Sequence, residues 1–189
     1  HLTPQKQKQA EMLVSQLEIT PDSKLVILHV RESGMDLAGE RGEHGIRAAT
    51  RRNAQITTYY ETIDFLVDLG YTIVRIGDPS MTPVDRRGVV DLATSQCGDR
   101  GLAELFCSLR SEFMLGTPSG PGNSLNYLTN TPVLVSNAVH PILNYPLRTN
   151  DMYVLKRVFE ITTKRELSIT ELLGKAKIGN LSVKCILTA

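Results

Sequence analysis

Two short stretches of this sequence concentrate residue types that bind anions, and a third is rich in cations. The first is His29-Val30-Arg31-Glu32, which closes an apolar run. Alternation along an extended chain puts His29 and Arg31 on one face, with Val30 opposite. A guanidinium there can fork onto a diphosphate, and the imidazole can hydrogen-bond a phosphate or the main chain. The same two residues also fit a hydrogen-bonded core histidine and a surface ion pair. The second stretch is Gly116-Thr117-Pro118-Ser119-Gly120-Pro121-Gly122. Its glycines let the backbone approach a ligand, its hydroxyls add donors, and the free amides and dipole of a following helix favour phosphate. Glycine, serine and proline would equally build an ordinary strand-to-helix turn. The third, around Arg41 to Asn53, sets Arg41, His44, Arg47, Arg51 and Arg52 against Glu40 and Glu43. It reads either as a solvated loop or as a lid whose cations close over a charged substrate.

Other chemistries find less support. No Gly-Lys-Ser/Thr follows the glycine-rich turn, so it is not a Walker A loop, and no GxGxxG follows the first apolar run, which argues against a standard NAD site. Asp99 and Glu171 sit where helix starts would use them. Asp78, after Gly77, is the better candidate for a nucleotide or sugar hydroxyl, and Asp91 is a further carboxylate to inspect. Tyr59 and Tyr60 fall in a helical pattern and read as packing residues. No spacing suggests a metal cluster or a Ser-His-Asp arrangement. The three cysteines, Cys97, Cys107 and Cys185, are scattered and form no CxxC pair, so reduced thiols are expected rather than a disulfide framework or a zinc site.

The chain that must position these groups has 189 residues, 41% hydrophobic and 22% charged. That suits one compact domain with an ample core. Twenty-one basic against 20 acidic residues leave a formal charge of +1, without the basic field of a dedicated nucleic-acid binder. No apolar run reaches the roughly 20 residues of a membrane-spanning helix. Secretory and transit signals are not evident, and Asn180-Leu181-Ser182 reads as a chance glycosylation match. The first residue is His, which reads as a start inside a longer protein.

Hydrophobic periodicity lays out the elements. Residues 4–17 read as a leading amphipathic helix. The nearly unbroken apolar run 24–30 reads as a strand buried on both faces. A long polar stretch, 31–52, separates it from a helix running from about 53 to Gly70. Strands follow at 71–76 and 88–92, then a helix N-capped by Asp99. A strand at 112–115, a short helix at about 121–129 and a strand at 132–136 come next. Residues 152–161 look extended, Ser168-Ile-Thr-Glu171 is a capping box opening a helix to about Ala176, and 181–187 could be a last strand. Strands alternating with helices from 24 to 136 predict an α/β, doubly wound, mostly parallel sheet of Rossmann-like type. The expected organisation is a single domain over 1–189, with residues 1–20 as the leading helix and 150–189 as an extension packed on it. Ligands of such sheets bind beyond the carboxyl ends of the strands. That edge would carry His29, Arg31, Glu32, Arg75, Gly77, Asp78, the turn from Gly116 to Gly120, and Asn137.

An ordered set of residues also resembles a bacterial family classed as glycosyltransferases and found in surface-polysaccharide contexts. The set comprises His29-Val-Arg-Glu32, Arg52-Asn53, Ile56, Tyr59, Gly70 through Asp78, Met81, Asp91-Leu-Ala93, Phe113 through Gly120, Pro132 through Asn137, Lys156 and the capping box before Glu171. It covers roughly residues 24–173. A more distant resemblance runs to the donor-binding half of fucosyltransferase-type enzymes, in which a His-x-Arg tripeptide ends the first strand of one half of a GT-B fold. The resemblance implies a nucleotide diphosphate sugar donor, no metal and no other cofactor. It implies a glycan or related acceptor, a cytoplasmic site or one peripheral at the inner membrane face, and a partner N-terminal domain absent from this chain. It further implies Arg31 as the diphosphate clamp and catalytic group, with Thr117, Ser119 and Gly120 in contact with the donor and His29, Asn53, Arg75 and Asp78 beside it. His44 is the nominee for the base that takes the acceptor proton. Two rivals remain open: a nucleotide- or phosphate-binding domain without transfer activity, and a phosphoester-processing enzyme.

Overall fold

The computed structural model describes residues 2–32, 52–119, 125, 128–138, 148–160, 162–177 and 185–188. The chain starts with α1 (Pro4–Ser15), whose N-cap Thr3 accepts the Lys6 amide and whose first position is proline. Then come β1 (Lys24–His29), a 3-10 turn at Ile56–Tyr59 leading into α2 (Tyr60–Asp68), β2 (Tyr71–Arg75) and β3 (Val89–Asp91). Next are α3 (Arg100–Arg110), β4 (Ser111–Gly116), β5 (Val133–Ala138), β6 (Met152–Leu155), β7 (Arg157–Glu160), α4 (Ile169–Lys177) and β8 (Cys185–Thr188). The expected helix over 121–129 lies largely outside the described residues.

Six strands form one sheet in the order β3-β2-β1-β4-β5-β6. Every pairing in it is parallel. This is the doubly wound α/β, Rossmann-like architecture that the alternation of elements predicts. The chain builds outward from β1 through β2 to β3, returns to the other side of β1 as β4, and builds outward again. The order therefore reverses between β1 and β4, and a crevice opens there beyond the strand ends.

The unbroken apolar run of β1 has the meaning read from it. Leu25 and Ile27 join α1 and α3 in a core on one face, through Ala10, Val14, Leu102, Ala103, Phe106 and Cys107. Val26, Leu28 and Val30 join Ile56, Tyr59, Ile63 and Leu66 on the other. Fully burying such aliphatic side chains stabilises by about 1.5–3 kcal/mol each. Asp99 caps α3 by accepting the Leu102 amide at 3.1 Å. On α3, Cys107 is buried and free, and burial pushes its thiol up to about 12, so it is an inert core residue.

The extended run over 152–161 is not one strand. Its first part, β6, is the edge of the main sheet, and β7 pairs antiparallel with β8 in a separate two-stranded sheet. Lys156 is the break: its amide donates to the Ala138 carbonyl at 2.9 Å, closing the main-sheet ladder. Around β7 and α4, Val158, Leu167 and Leu172 form a small cluster of their own. The capping box forms as read, with Ser168 and Glu171 exchanging hydrogen bonds.

Candidate functional site

The switch point between β1 and β4 is unusually tight. A Cβ added at Gly116 would lie 2.9 Å from the His29 carbonyl oxygen, so glycine is what lets the two strand ends approach this closely. The Thr117 amide donates to that same carbonyl at 2.9 Å. In return the Thr117 hydroxyl accepts the Arg31 amide at 2.8 Å. These two bonds carry the β1–β4 pairing past the last ladder pair and fix the relation between Arg31 and the turn that ends in Ser119.

A cavity of about 220 Å³ opens beside this junction. The end of β1 supplies His29, Arg31 and Glu32 to its wall, and the segment after β2 supplies Ile76, Gly77, Asp78, Pro79 and Met81. Arg100 and Glu104 come from the first turns of α3, Ser119 from the turn after β4, and Leu125 completes the lining. His29, Arg31 and Ser119 are 5%, 8% and 4% exposed. Arg31 and Ser119, far apart in sequence, thus border one space at the reversal of strand order.

The electrostatics are mixed. Burial, reinforced by Arg31 and Arg75, holds the His29 imidazole down at about 4, so it is neutral at physiological pH and can donate through only one nitrogen. Its Nδ1 meets no partner among the described residues. Ser119 Oγ likewise makes no hydrogen bond among them. Arg100 donates from Nη1 to the Ala93 carbonyl at 2.9 Å. Asp78 accepts the Ser80 amide at 2.9 Å and the Ser80 hydroxyl at 2.5 Å, bonds that hold its carboxyl below the usual carboxylate range. Glu104 is half-buried and accepts the Gly77 amide at 3.4 Å. Burial pushes its carboxyl up, against the pull of Gly77 and Arg100. Gly77 has a φ of +146°, and a Cβ there would meet Met81 Sδ at 2.5 Å. Guanidinium groups, an unengaged hydroxyl, a neutral imidazole and an apolar floor suit a ligand with an anionic half and an uncharged half.

The sequence nominees separate cleanly. His29, Arg31, Asp78 and Ser119 line the cavity. Thr117 does not: it is fully buried, and its hydroxyl ties two strand ends together. Asn53 is not among the lining residues; its carbonyl accepts the Lys156 ammonium at 2.8 Å, and the amide of the next residue, Ala54, donates to the Arg31 carbonyl at 2.9 Å. Arg75 is also placed apart from the cavity wall. It is 0% exposed and is held between Glu32 at 3.0 Å and Asp91 at 2.9 Å. His44 and Gly120 lie outside the described residues. Sequence reasoning missed Arg100 and Glu104. Their i, i+4 spacing just after a helix cap was the available signal, because it puts both on one side of the helix start. Among the described residues, no group of three or more His, Cys, Asp or Glu side chains could hold a metal ion. No described helix is long and apolar enough to cross a membrane.

Comparison with solved structures places this architecture in a class. The chain shares its fold with part of the ADP-heptose LPS heptosyltransferase II of E. coli, at a TM-score of 0.53 and 13% identity over 82% of this chain and 44% of that one. A second, looser likeness is to the iron-containing dodecameric heptosyltransferase TibC, solved with ADP-D-β-D-heptose. It has a TM-score of 0.38 and 16% identity over 82% of this chain and 38% of that one. The chain spans less than half the length of either. No protein-family model matches it, and no curated protein does. The fold is therefore the Rossmann-like α/β architecture shared with part of that heptosyltransferase II.

Proposed function

We propose that this chain is the donor-binding domain of a glycosyltransferase, taking a nucleotide diphosphate sugar and passing the sugar to a cell-surface glycan or related acceptor. One observation carries the reading: Arg31 and Ser119 border a single cavity at the switch point of a fold shared with a heptosyltransferase. The diphosphate lies against Arg31, Arg100 and Ser119. As the bond from the sugar carbon to the diphosphate oxygen breaks, these donors stabilise the charge that builds on the leaving group, so no metal is needed for that role. The acceptor hydroxyl attacks the sugar carbon and gives its proton to a base, for which His44 is the nominee from this chain and a partner domain the other source. The site works on the cytoplasmic side, free or at the inner membrane face.

The test combines a thermal-shift panel with calorimetry. Among ADP-, GDP-, UDP-, CDP- and TDP-sugars, at least one raises the melting temperature, because a ligand bound only by the folded state stabilises it. Arg31→Ala then weakens binding of the matching nucleoside diphosphate by about ten- to a hundredfold, the scale of a hydrogen bond to a charged group, while the circular dichroism spectrum is retained. Unchanged affinity in that variant, or a panel without any binder, overturns the assignment. Tight binding without transfer in the presence of acceptor and partner domain would make this a binding module instead.

A further inference from the structure

The buried Glu32–Arg75–Asp91 cluster does more than hold strands together. Residues 76–88 form no helix or strand, yet Gly77, Asp78, Pro79 and Met81 are one wall of the cavity. Backbone groups in such a segment need partners, and this cluster supplies them. Arg75 Nη1 donates to the Thr82 carbonyl at 2.7 Å, and Glu32 accepts the Thr82 amide at 2.8 Å, so both backbone groups of Thr82 are gripped. Asp91 accepts the Val84 amide at 2.9 Å. Arg75 joins the two carboxylates, with Nη2 on Glu32 and Nη1 on Asp91.

We propose that Arg75 is a positioning residue for the cavity: it fixes the 77–84 wall and neutralises Glu32, so that an anionic ligand meets a shaped and unrepelling site. The ligand is the diphosphate of the preceding section, and the proposal rests on that reading. Two consequences follow from the geometry. Without the guanidinium, the Thr82 carbonyl loses its donor and the wall loosens. Glu32, which itself lines the cavity, then presents an uncompensated carboxylate to the incoming phosphates.

The test uses Arg75→Met, Arg75→Met/Glu32→Gln and Asp91→Asn, each studied well below its melting temperature, with ADP and inorganic pyrophosphate as probes. In Arg75→Met the Thr82 and Val84 amides exchange hydrogen at least tenfold faster than in the wild type, while the amides of Val26, Ile27 and Met114 keep their protection. Pyrophosphate and ADP bind at least tenfold more weakly, and adding Glu32→Gln restores part of that loss. A merely structural arginine would lower the melting temperature without moving affinity in the folded protein, and that result overturns the proposal. Equal exchange at Thr82 and Val84 overturns it too. If Arg75→Met does not fold, Asp91→Asn carries the test, because it keeps an acceptor for Val84 while removing one charge. Faster exchange at Thr82, which is tied to Asp91 through Arg75, then supports the proposal, and unchanged exchange there refutes it. A wild type that binds neither probe sinks the diphosphate reading, while the exchange measurement still decides whether Arg75 sets the wall.

Discussion

Two arginines lie at the ends of neighbouring parallel strands at the same edge of the sheet, and their surroundings differ. Arg31, just beyond β1, borders the cavity. Arg75, the last residue of β2, is fully buried between two carboxylates. The difference is one of face. Arg75 is in register with Leu28, whose neighbours form the core against α2. His29, and with it Arg31, points to the α3 side. One step along a strand thus separates an arginine that borders the cavity from one enclosed between two carboxylates. Residue type and nearness to a strand end do not distinguish them; the register between strands does.

The largest effect that separates the two is on stability. Replacing Arg75 by Met leaves the largely enclosed Glu32 and Asp91 without their shared cation. Removing one partner of a buried pair costs about 3–5 kcal/mol. Arg31→Ala keeps the main-chain bond to Thr117 and is expected to cost about 0.5–3 kcal/mol, the range of most single substitutions. Urea denaturation of both variants measures this directly. Equal losses would erase the distinction drawn from their faces.

The next effect is on pH dependence and centres on His29, on the Arg31 face. His29 has its proton affinity lowered from 6.5 to about 4 in the folded chain. Between those values the unfolded chain binds more protons than the folded one, so stability rises with pH. The stabilisation is complete above about pH 6.5 and fades as the pH falls towards 4, by about 3 kcal/mol in all. The difference in unfolding free energy between wild type and His29→Gln, followed from pH 7 to pH 4, isolates this contribution from the carboxylates. A flat difference would mean that His29 is solvated rather than enclosed beside the cavity.

How far the sequence could show this arrangement depends on the range of the interactions involved. Local patterns were legible: the apolar run of β1 meant burial on two faces, Asp99 meant a helix start, and alternation put His29 with Arg31. Strands alternating with helices also pointed to the carboxyl edge of a parallel sheet, while the reversal of order between β1 and β4 is seen only in the structure. What stayed hidden was set by partners distant in the chain. The ion pairs of Arg75 were hidden because Glu32 and Asp91 come from other segments. The bond that the Thr117 hydroxyl accepts was hidden because the Arg31 amide lies across the β1–β4 junction. Met152 to Ile161 looked continuous because the Ala138 carbonyl that ends β6 at Lys156 is not a local feature. Glu104 was passed over because an acid on an amphipathic helix reads as solvent-facing until the segment after β2 folds against it.

The smallest predicted effect repeats the arginine contrast within one turn. Thr117 and Ser119 are two residues apart and both buried, yet only Thr117 has its hydroxyl engaged, by the Arg31 amide. Thr117→Val therefore leaves a buried amide without an acceptor, at about 1–3 kcal/mol of stability. Its effect on ligand affinity follows only through any displacement of Arg31. Ser119→Ala removes a hydroxyl that nothing among the described residues uses, so the unfolding midpoint should stay within about 0.5 kcal/mol of the wild type. If that hydroxyl serves the diphosphate, the same variant weakens nucleoside diphosphate binding several-fold, the scale of about 1 kcal/mol for one hydrogen bond. Calorimetry and urea denaturation on the pair give a two-by-two outcome. Should Ser119→Ala lose stability and keep affinity, both hydroxyls are structural, and the cavity's anion-binding half rests on the guanidinium groups alone.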